Sequence, residues 1–197
     1  MITKMILLIT LLVFSSLKFE PRVISAQEEA RVISAYINAF YLKKEYADNI
    51  FTGRPNRIIV MLDKTLQCEC ETPLRKIAAR NGIAIVQDFV NQNRKQAAYR
   101  NEGVEKYFTF ALPYSLITRE IFDKIISDGG WKRFYDVYPD SRGIVGFSRI
   151  GMNEDKTMAM LYFLHGYNEG QEEGVLVVLR IYGDKWIKID QELVYIA

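Results

Sequence analysis

From Tyr138 to Ala197 the chain is written in the two-residue period of β-strands, broken at regular intervals by turn residues, and this stretch constrains the fold more than any other. It opens with Tyr-Pro-Asp-Ser-Arg-Gly-Ile-Val-Gly-Phe-Ser-Arg-Ile-Gly-Met-Asn over 138–153. Four strands follow from the pattern, joined as an antiparallel meander. In the second, Thr157 to His165, both parities are apolar (Met158, Met160, Tyr162, Leu164 and Ala159, Leu161, Phe163), so this strand is expected to be covered on both faces. In the third, Val175, Val177, Leu179 and Ile181 are expected to form the buried face, continued by Ile187 and Ile189 in the last strand after the turn Gly183-Asp184-Lys185.

Upstream, the pattern is helical. Val32, Tyr36 and Phe40 recur at four-residue steps beside Ile33 and Ile37, which predicts an amphipathic helix over 27–49. Thr52 to Asn56 breaks it, and Arg57 to Leu62 reads as a buried strand. Thr72-Pro73 and Asn81-Gly82 bracket a helix over 73–81, and Val86, Phe89 and Val90 share a helical face within 83–96. Lys106 to Leu112 has the aromatic alternation of a strand ended by Pro113, Thr118 caps a helix through Ser127, and Trp131 to Tyr135 adds a helical turn. The expected fold class is therefore α+β, with N-terminal helices on a curved antiparallel sheet that ends in a four-stranded β-meander. This is a cone-like layout by analogy, and it licenses no function.

The N-terminus predicts export. Lys4 precedes an apolar run from Met5 to Leu17, which is the core of a secretory signal and shorter than the roughly 20 residues needed to span a bilayer. Cleavage is expected after Ala26, which gives a signal peptide at 1–26 and one domain at 27–197, with an uncleaved N-terminal anchor as the alternative. No Cys follows the run, which excludes a lipoprotein anchor. With residues 1–26 go Lys4, Lys18 and Arg22 against Glu20, so 26 basic and 24 acidic residues become 23 of each. A neutral chain has no basic face for a nucleic acid and no polybasic patch for an anionic membrane. The expected location is secreted or periplasmic, in a bacterium, with no stable membrane anchor once the signal is removed.

Trp131, Phe134-Tyr135, Tyr138-Pro139, Ser141, Gly143, the run Phe147 to Gly151, Asn153 and the closing Gly183 to Trp186 resemble a family of small secreted bacterial proteins of unknown function. The likeness extends to the leading helix, to Val60–Asp63 with Thr65, and to Asp88-Phe89 with Asn91 and Asn93. It implies export and this fold, and it carries no catalytic residue. Members bear a glycine-rich loop between the second and third meander strands, sometimes with cysteines. Here that loop, Gly166 to Gly174, is acidic and lacks Cys, so a disulfide role for it is absent.

Few residues bear chemistry. Cys68-Glu69-Cys70 is the one cysteine pair and reads as a local disulfide or plain loop thiols, with a labile redox pair or a two-thiolate Cu(I) site as alternatives. Two cysteines at this spacing on a strand lie near the upper limit of disulfide reach. His165 is the only histidine and has no nucleophile elbow near it in sequence, so it reads as structural or surface-exposed at a strand end. No spacing pairs two carboxylates for acid–base work, and Glu169, Glu172 and Glu173 do not form a calcium loop. Arg149 shares a strand parity with Val145 and Phe147, so an interior guanidinium is expected to need a carboxylate partner, with Asp63 or Asp88 the candidates. Arg149, Asp63, Asp88 and His165 are the candidate ligand-binding residues, and Cys68 and Cys70 the candidate disulfide or redox pair. No catalytic residue, metal site or cofactor is assigned. The leading functional expectation is a non-catalytic module for a small ligand or an envelope protein, and the alternative is a cofactor-free enzyme using carboxylates or the cysteine pair.

Overall fold

The computed structural model describes residues 23–41, 57–68, 70–94, 98–99 and 102–196, together with the backbone but not the side chains of Tyr41 and Ile196. Most of the predicted signal peptide, the helix tail beyond Tyr41, the break at 52–56 and Glu69 lie outside them. The fold is α+β. Helices α1 (Ala26–Tyr41), α2 (Glu71–Asn81), α3 (Ile83–Gln92), α4 (Arg119–Ser127) and α5 (Gly130–Val137) accompany strands β1 (Ile58–Leu62), β2 (Tyr114–Ile117), β3 (Ser141–Phe147), β4 (Gly151–Met152), β5 (Met158–Asn168), β6 (Gln171–Tyr182) and β7 (Lys185–Ile196). The strands form one sheet in the order β2-β1-β3-β5-β6-β7, with β4 pairing against β5.

The meander is present as β3, β5, β6 and β7, all antiparallel. The expected antiparallel sheet is mixed at its other end, where β1 runs parallel to both β2 and β3. Both connections out of β1 and β2 carry helices, which is what a parallel crossover requires.

Helices cover both faces of the sheet. On one face α1 packs Val32, Ile33, Tyr36 and Ile37 against Phe147, Leu161, Phe163, Val175, Val177 and Leu179. On the other, α2 and α3 bring Ile77, Ile85, Val86 and Phe89 onto Met160, Tyr162, Leu176 and Val178. Beside them, Phe122 of α4 and Phe134 of α5 cover Val60, Leu62, Ile117 and Ile144. This explains why β5 is apolar at both parities. It also corrects the one-faced reading of β6, since Leu176 and Val178 are as buried as Val175 and Val177.

In β7 the sequence pattern misleads more strongly. Ile187 and Ile189 are exposed, and Trp186 is the residue that packs on the α1-side core. Ile187 stands opposite Arg180, on the α2–α3 side of the sheet but at its far end, and register breaks between Val178 and Leu179 and between Gly174 and Val175 interrupt simple alternation. The acidic loop is likewise shorter than expected, because β5 continues to Asn168 and β6 begins at Gln171, with Gly170 in the left-handed region at the turn (φ 63°).

Lys106 to Leu112 is not a strand. Val104–Tyr107 is a short 3-10 helix, and the extended residues after it satisfy their backbone groups on α1 side chains. Ser34 Oγ accepts from Thr109 N at 3.0 Å, and Asn38 accepts from Ala111 N at 2.7 Å and donates to the Thr109 carbonyl at 2.9 Å. Phe108 and Phe110 stack with each other and meet Tyr114 edge to face, so the aromatic alternation marks packing without a ladder. The strand lies past Pro113, as β2. Thr118 caps α4 as expected, accepting from Ile121 N, whereas α2 starts at Glu71 with Cys70 as its N-cap residue, so Thr72-Pro73 falls inside the first turn.

Ser25 and Glu28 form a capping box at the start of α1: Ser25 Oγ accepts from Glu28 N at 3.2 Å, and Glu28 Oε2 accepts from Ser25 N at 2.9 Å. Ile24 and Ala26 also pack against the core. A chain beginning at Gln27 therefore lacks the cap, and it is expected to be less stable than one beginning at Val23 by at least about 1 kcal/mol. Urea unfolding of the two chains checks this.

Candidate functional site

The stretch from Phe147 to Asn153 leaves β3, crosses α3 and re-enters the sheet as β4, and nearly every polar group in it has a fixed partner. Ser148 pairs with Tyr162, its N–H donating to the carbonyl at 2.9 Å while its Oγ accepts from Tyr162 N at 2.8 Å. Asn93, at the end of α3, clamps the next residue from both sides: its Oδ1 accepts from Arg149 N at 2.7 Å, and its Nδ2 donates to the Arg149 carbonyl at 2.9 Å. Asp88 Oδ2 accepts from Met152 N at 2.8 Å. Asn153 Oδ1 accepts from Met158 N at 2.7 Å and closes the turn into β5. Gly151 lies so close to Phe89 that a Cβ there meets the Phe89 backbone.

Arg149 sits in the loop beyond the end of β3. Its Nε donates to Glu29 Oε1 of α1 at 2.8 Å, and its Nη1 lies 3.8 Å from Glu102 Oε2. The partners are thus Glu29 and Glu102, and the expectation of Asp63 or Asp88 is corrected. The Glu29 side chain is 0% exposed and that of Arg149 is 18% exposed, so this is an interior acid with a base that reaches the surface. Burial pushes the Glu29 carboxyl above its ordinary value, against the pull of Arg149. Nearby Tyr99 is fully enclosed, donates to the Phe147 carbonyl at 2.9 Å, and is held well above the usual phenol range by burial. Glu29 was legible as an anomaly, since it lies three and four residues before Val32 and Ile33 on the apolar stripe of α1.

His165 is elsewhere, roughly 10 Å along β5 from the Ser148–Tyr162 pairing. It is 3% exposed, so of the two expected readings, structural or surface-exposed, the structural one agrees with the burial and the exposed strand end is corrected. Its ring meets Phe40 edge to face, stacks on Tyr167, and places Nε2 2.8 Å from the Arg142 carbonyl. The Arg142 guanidinium lies over the Phe40 ring, 4.4 Å from its centroid. Burial lowers the His165 pKa to about 4, so the ring is neutral at physiological pH. The unfolded chain binds the proton more tightly than the folded one. The stability this provides is fully present above pH 6.5 and is lost as pH falls toward 4. Thermal melts of wild type and His165→Gln are expected to run parallel with pH above 6.5 and to differ in slope between 6.5 and 4, where the wild type loses more stability and the variant is less acid-sensitive.

Asp63 follows β1, half-buried, with Oδ1 lacking a hydrogen-bond partner among the described residues, while its carbonyl accepts from Tyr99 N at 2.9 Å. Asp88 is buried inside α3. The four candidates Arg149, Asp63, Asp88 and His165 therefore serve separate local tasks and do not converge on one pocket.

Cys68 and Cys70 are joined as a disulfide, with Cα atoms 5.3 Å apart. That is mid-range and not the upper limit, because the segment leaves extended geometry to become the N-terminus of α2. Among the described residues no group of three or more His, Cys, Asp or Glu is arranged to hold a metal ion, and no helix is long and apolar enough to cross a membrane. A polar cleft of about 440 Å³ lies along the edge strand β2, lined by Glu105, Lys106, Tyr114, Ser115 and Leu116. It contains none of Arg149, Asp63, Asp88, His165, Cys68 and Cys70.

A scan against family models, a search of the curated proteins and a search of the solved structures return no match for this chain.

Proposed function

We propose that the protein is a non-catalytic binding module of the bacterial periplasm or exterior, and that it engages an envelope protein through the far end of β6 and β7. The observation that carries this reading is an exposed apolar pair at the β6–β7 turn, with Tyr182 53% and Ile187 47% exposed. Ile187 stands opposite Arg180 and Lys185 opposite Tyr182, so the four side chains share one face of the hairpin. Two apolar groups flanked by two cations suit a protein surface that offers an apolar contact with an acidic rim.

Two further observations support a binding role over catalysis. Arg149 is bound to Glu29 and fixed by Asn93, and His165 is neutral and enclosed by aromatic rings, so the groups best suited to acid–base work are absorbed in packing. The leader pattern at residues 1–26 and the likeness of 131–153 to small secreted proteins support export.

A photo-crosslinking residue at Ile187, compared with one at exposed Lys132, tests the reading in the envelope fraction of the source cells. The expected result is one dominant adduct from position 187 that disappears when Arg180→Glu and Lys185→Glu are introduced together. Identical adduct patterns from positions 187 and 132 contradict it.

A further inference from the structure

The Cys68–Cys70 disulfide has features that a structural staple does not need. It spans a sequence separation of 2, so it removes little loop entropy from the unfolded chain. Helix α2, which it precedes, is already anchored by buried Ile77 and by ion pairs from Arg80 to Asp190 at 2.8 Å and from Lys76 to Glu192 at 2.6 Å. The two sulfurs also differ in access. Cys70 is 5% exposed and packs among Ile77, Ile85, Val86 and Met160, whereas Cys68 is only partly buried at the rim of that cluster.

We infer that this disulfide is a thiol–disulfide exchange site, independent of the β6–β7 surface, in which an external thiolate attacks Cys68. The incoming sulfur forms a bond to Cys68 Sγ, the Cys68–Cys70 bond breaks, and its electron pair leaves on Cys70 Sγ. A second donor thiolate then attacks the donor sulfur of the mixed disulfide and releases Cys68. Two donor thiols are thereby oxidised to one disulfide, two electrons pass to the cysteine pair, and the donor protons go to water or to the cysteines. Access selects Cys68 as the sulfur attacked. The leaving sulfur is the N-cap residue of α2, which has no side-chain cap hydrogen bond, so the developing charge meets the positive end of an eleven-residue helix.

The test uses the purified full chain in its native state with reduced glutathione in one arm and a reduced dicysteine peptide in the other. Samples are quenched with acid, alkylated and mapped by mass spectrometry. The expected intermediate carries the donor on Cys68 at least tenfold more often than on Cys70, and the disulfide opens without denaturant while circular dichroism is retained. Faster opening by glutathione assigns a small-molecule thiol as the donor, and faster opening by the peptide assigns a protein thiol. In Cys70→Ser the lone Cys68 thiolate, offered oxidised glutathione, bonds to one glutathione sulfur and releases the other as reduced glutathione, so the mixed disulfide on Cys68 accumulates, and the wild-type mapping stands alone if that variant does not fold. Opening only in urea, an even distribution of donor over the two cysteines, or two free thiols in protein isolated from the oxidising compartment overturns the inference.

Discussion

Arg149→Met is expected to lower the unfolding free energy by about 3–5 kcal/mol at neutral pH, the usual cost of removing one partner from a buried ion pair. The reason lies in the asymmetry of the pair. Glu29 has no exposure of its own, and the Arg149 Nε 2.8 Å away opposes the burial that raises its carboxyl. Without the guanidinium, the carboxyl must take up a proton. Holding a carboxyl of ordinary pKa 4.5 protonated at pH 7 costs about 3.5 kcal/mol, at about 1.4 kcal/mol per unit, which lies within that range. The sign with pH follows. The Glu29 carboxyl is already raised above 4.5 with Arg149 in place, and losing the guanidinium raises it further; the stability is fully present below 4.5 and lost as pH rises through the folded value, so the variant should recover as pH falls. Glu29→Gln is expected to cost less, because Arg149 is partly solvated and has Glu102 within 3.8 Å. Urea unfolding at pH 7 and pH 5 measures both effects.

Gly151→Ala should destabilise by about 3 kcal/mol, at the upper end of overpacking costs. The added Cβ meets the backbone N and Cα of Phe89, which belong to a helix and do not swing aside as a side-chain terminus does. Moving α3 away disturbs Phe89, Asp88 and Asn93 at once. All three hold the 147–153 segment or the core beneath it. Gly82→Ala is the informative control, because its Cβ meets no atom within 4 Å, although its φ of 92° adds backbone strain of its own. Thermal melts are expected to place Gly151→Ala well below Gly82→Ala.

These two variants address a segment whose importance was visible in the sequence and whose role was not. The α+β class and the meander were legible because β5 is apolar at both parities and the turn residues fall between strands. The boundaries of α4 were legible because Thr118 is a local cap. What failed was information carried by partners distant in sequence. Phe108 and Phe110 have the alternation of a strand, but Ser34 and Asn38 of α1 take their neighbours' backbone hydrogen bonds. Ile187 and Ile189 fit a buried parity, but register breaks and the sheet's end leave them exposed.

The candidate site was legible in the same uneven way. Arg149 needed an acid, as burial of a guanidinium demands, yet no local spacing points from 149 to Glu29, which lies 120 residues earlier on α1. His165 at a strand end beside glycine suggested exposure, whereas Phe40 and Tyr167 close over it. The contrast between the two ends of β5 and the β6–β7 turn is what gives the functional reading its shape. Polar groups that resemble a site are spent inside the fold, and the apolar groups that belong inside a fold are left outside at Tyr182 and Ile187.

Arg149, the most site-like residue of the 138–153 segment, works by holding a buried carboxyl in place. A double-mutant cycle on Glu29→Gln and Arg149→Met, read by urea unfolding at pH 7, tests it most directly. The double variant is expected to be more stable than Arg149→Met alone, with a coupling of about 2 kcal/mol or more. Additive effects, with the double variant weaker than either single one, contradict it.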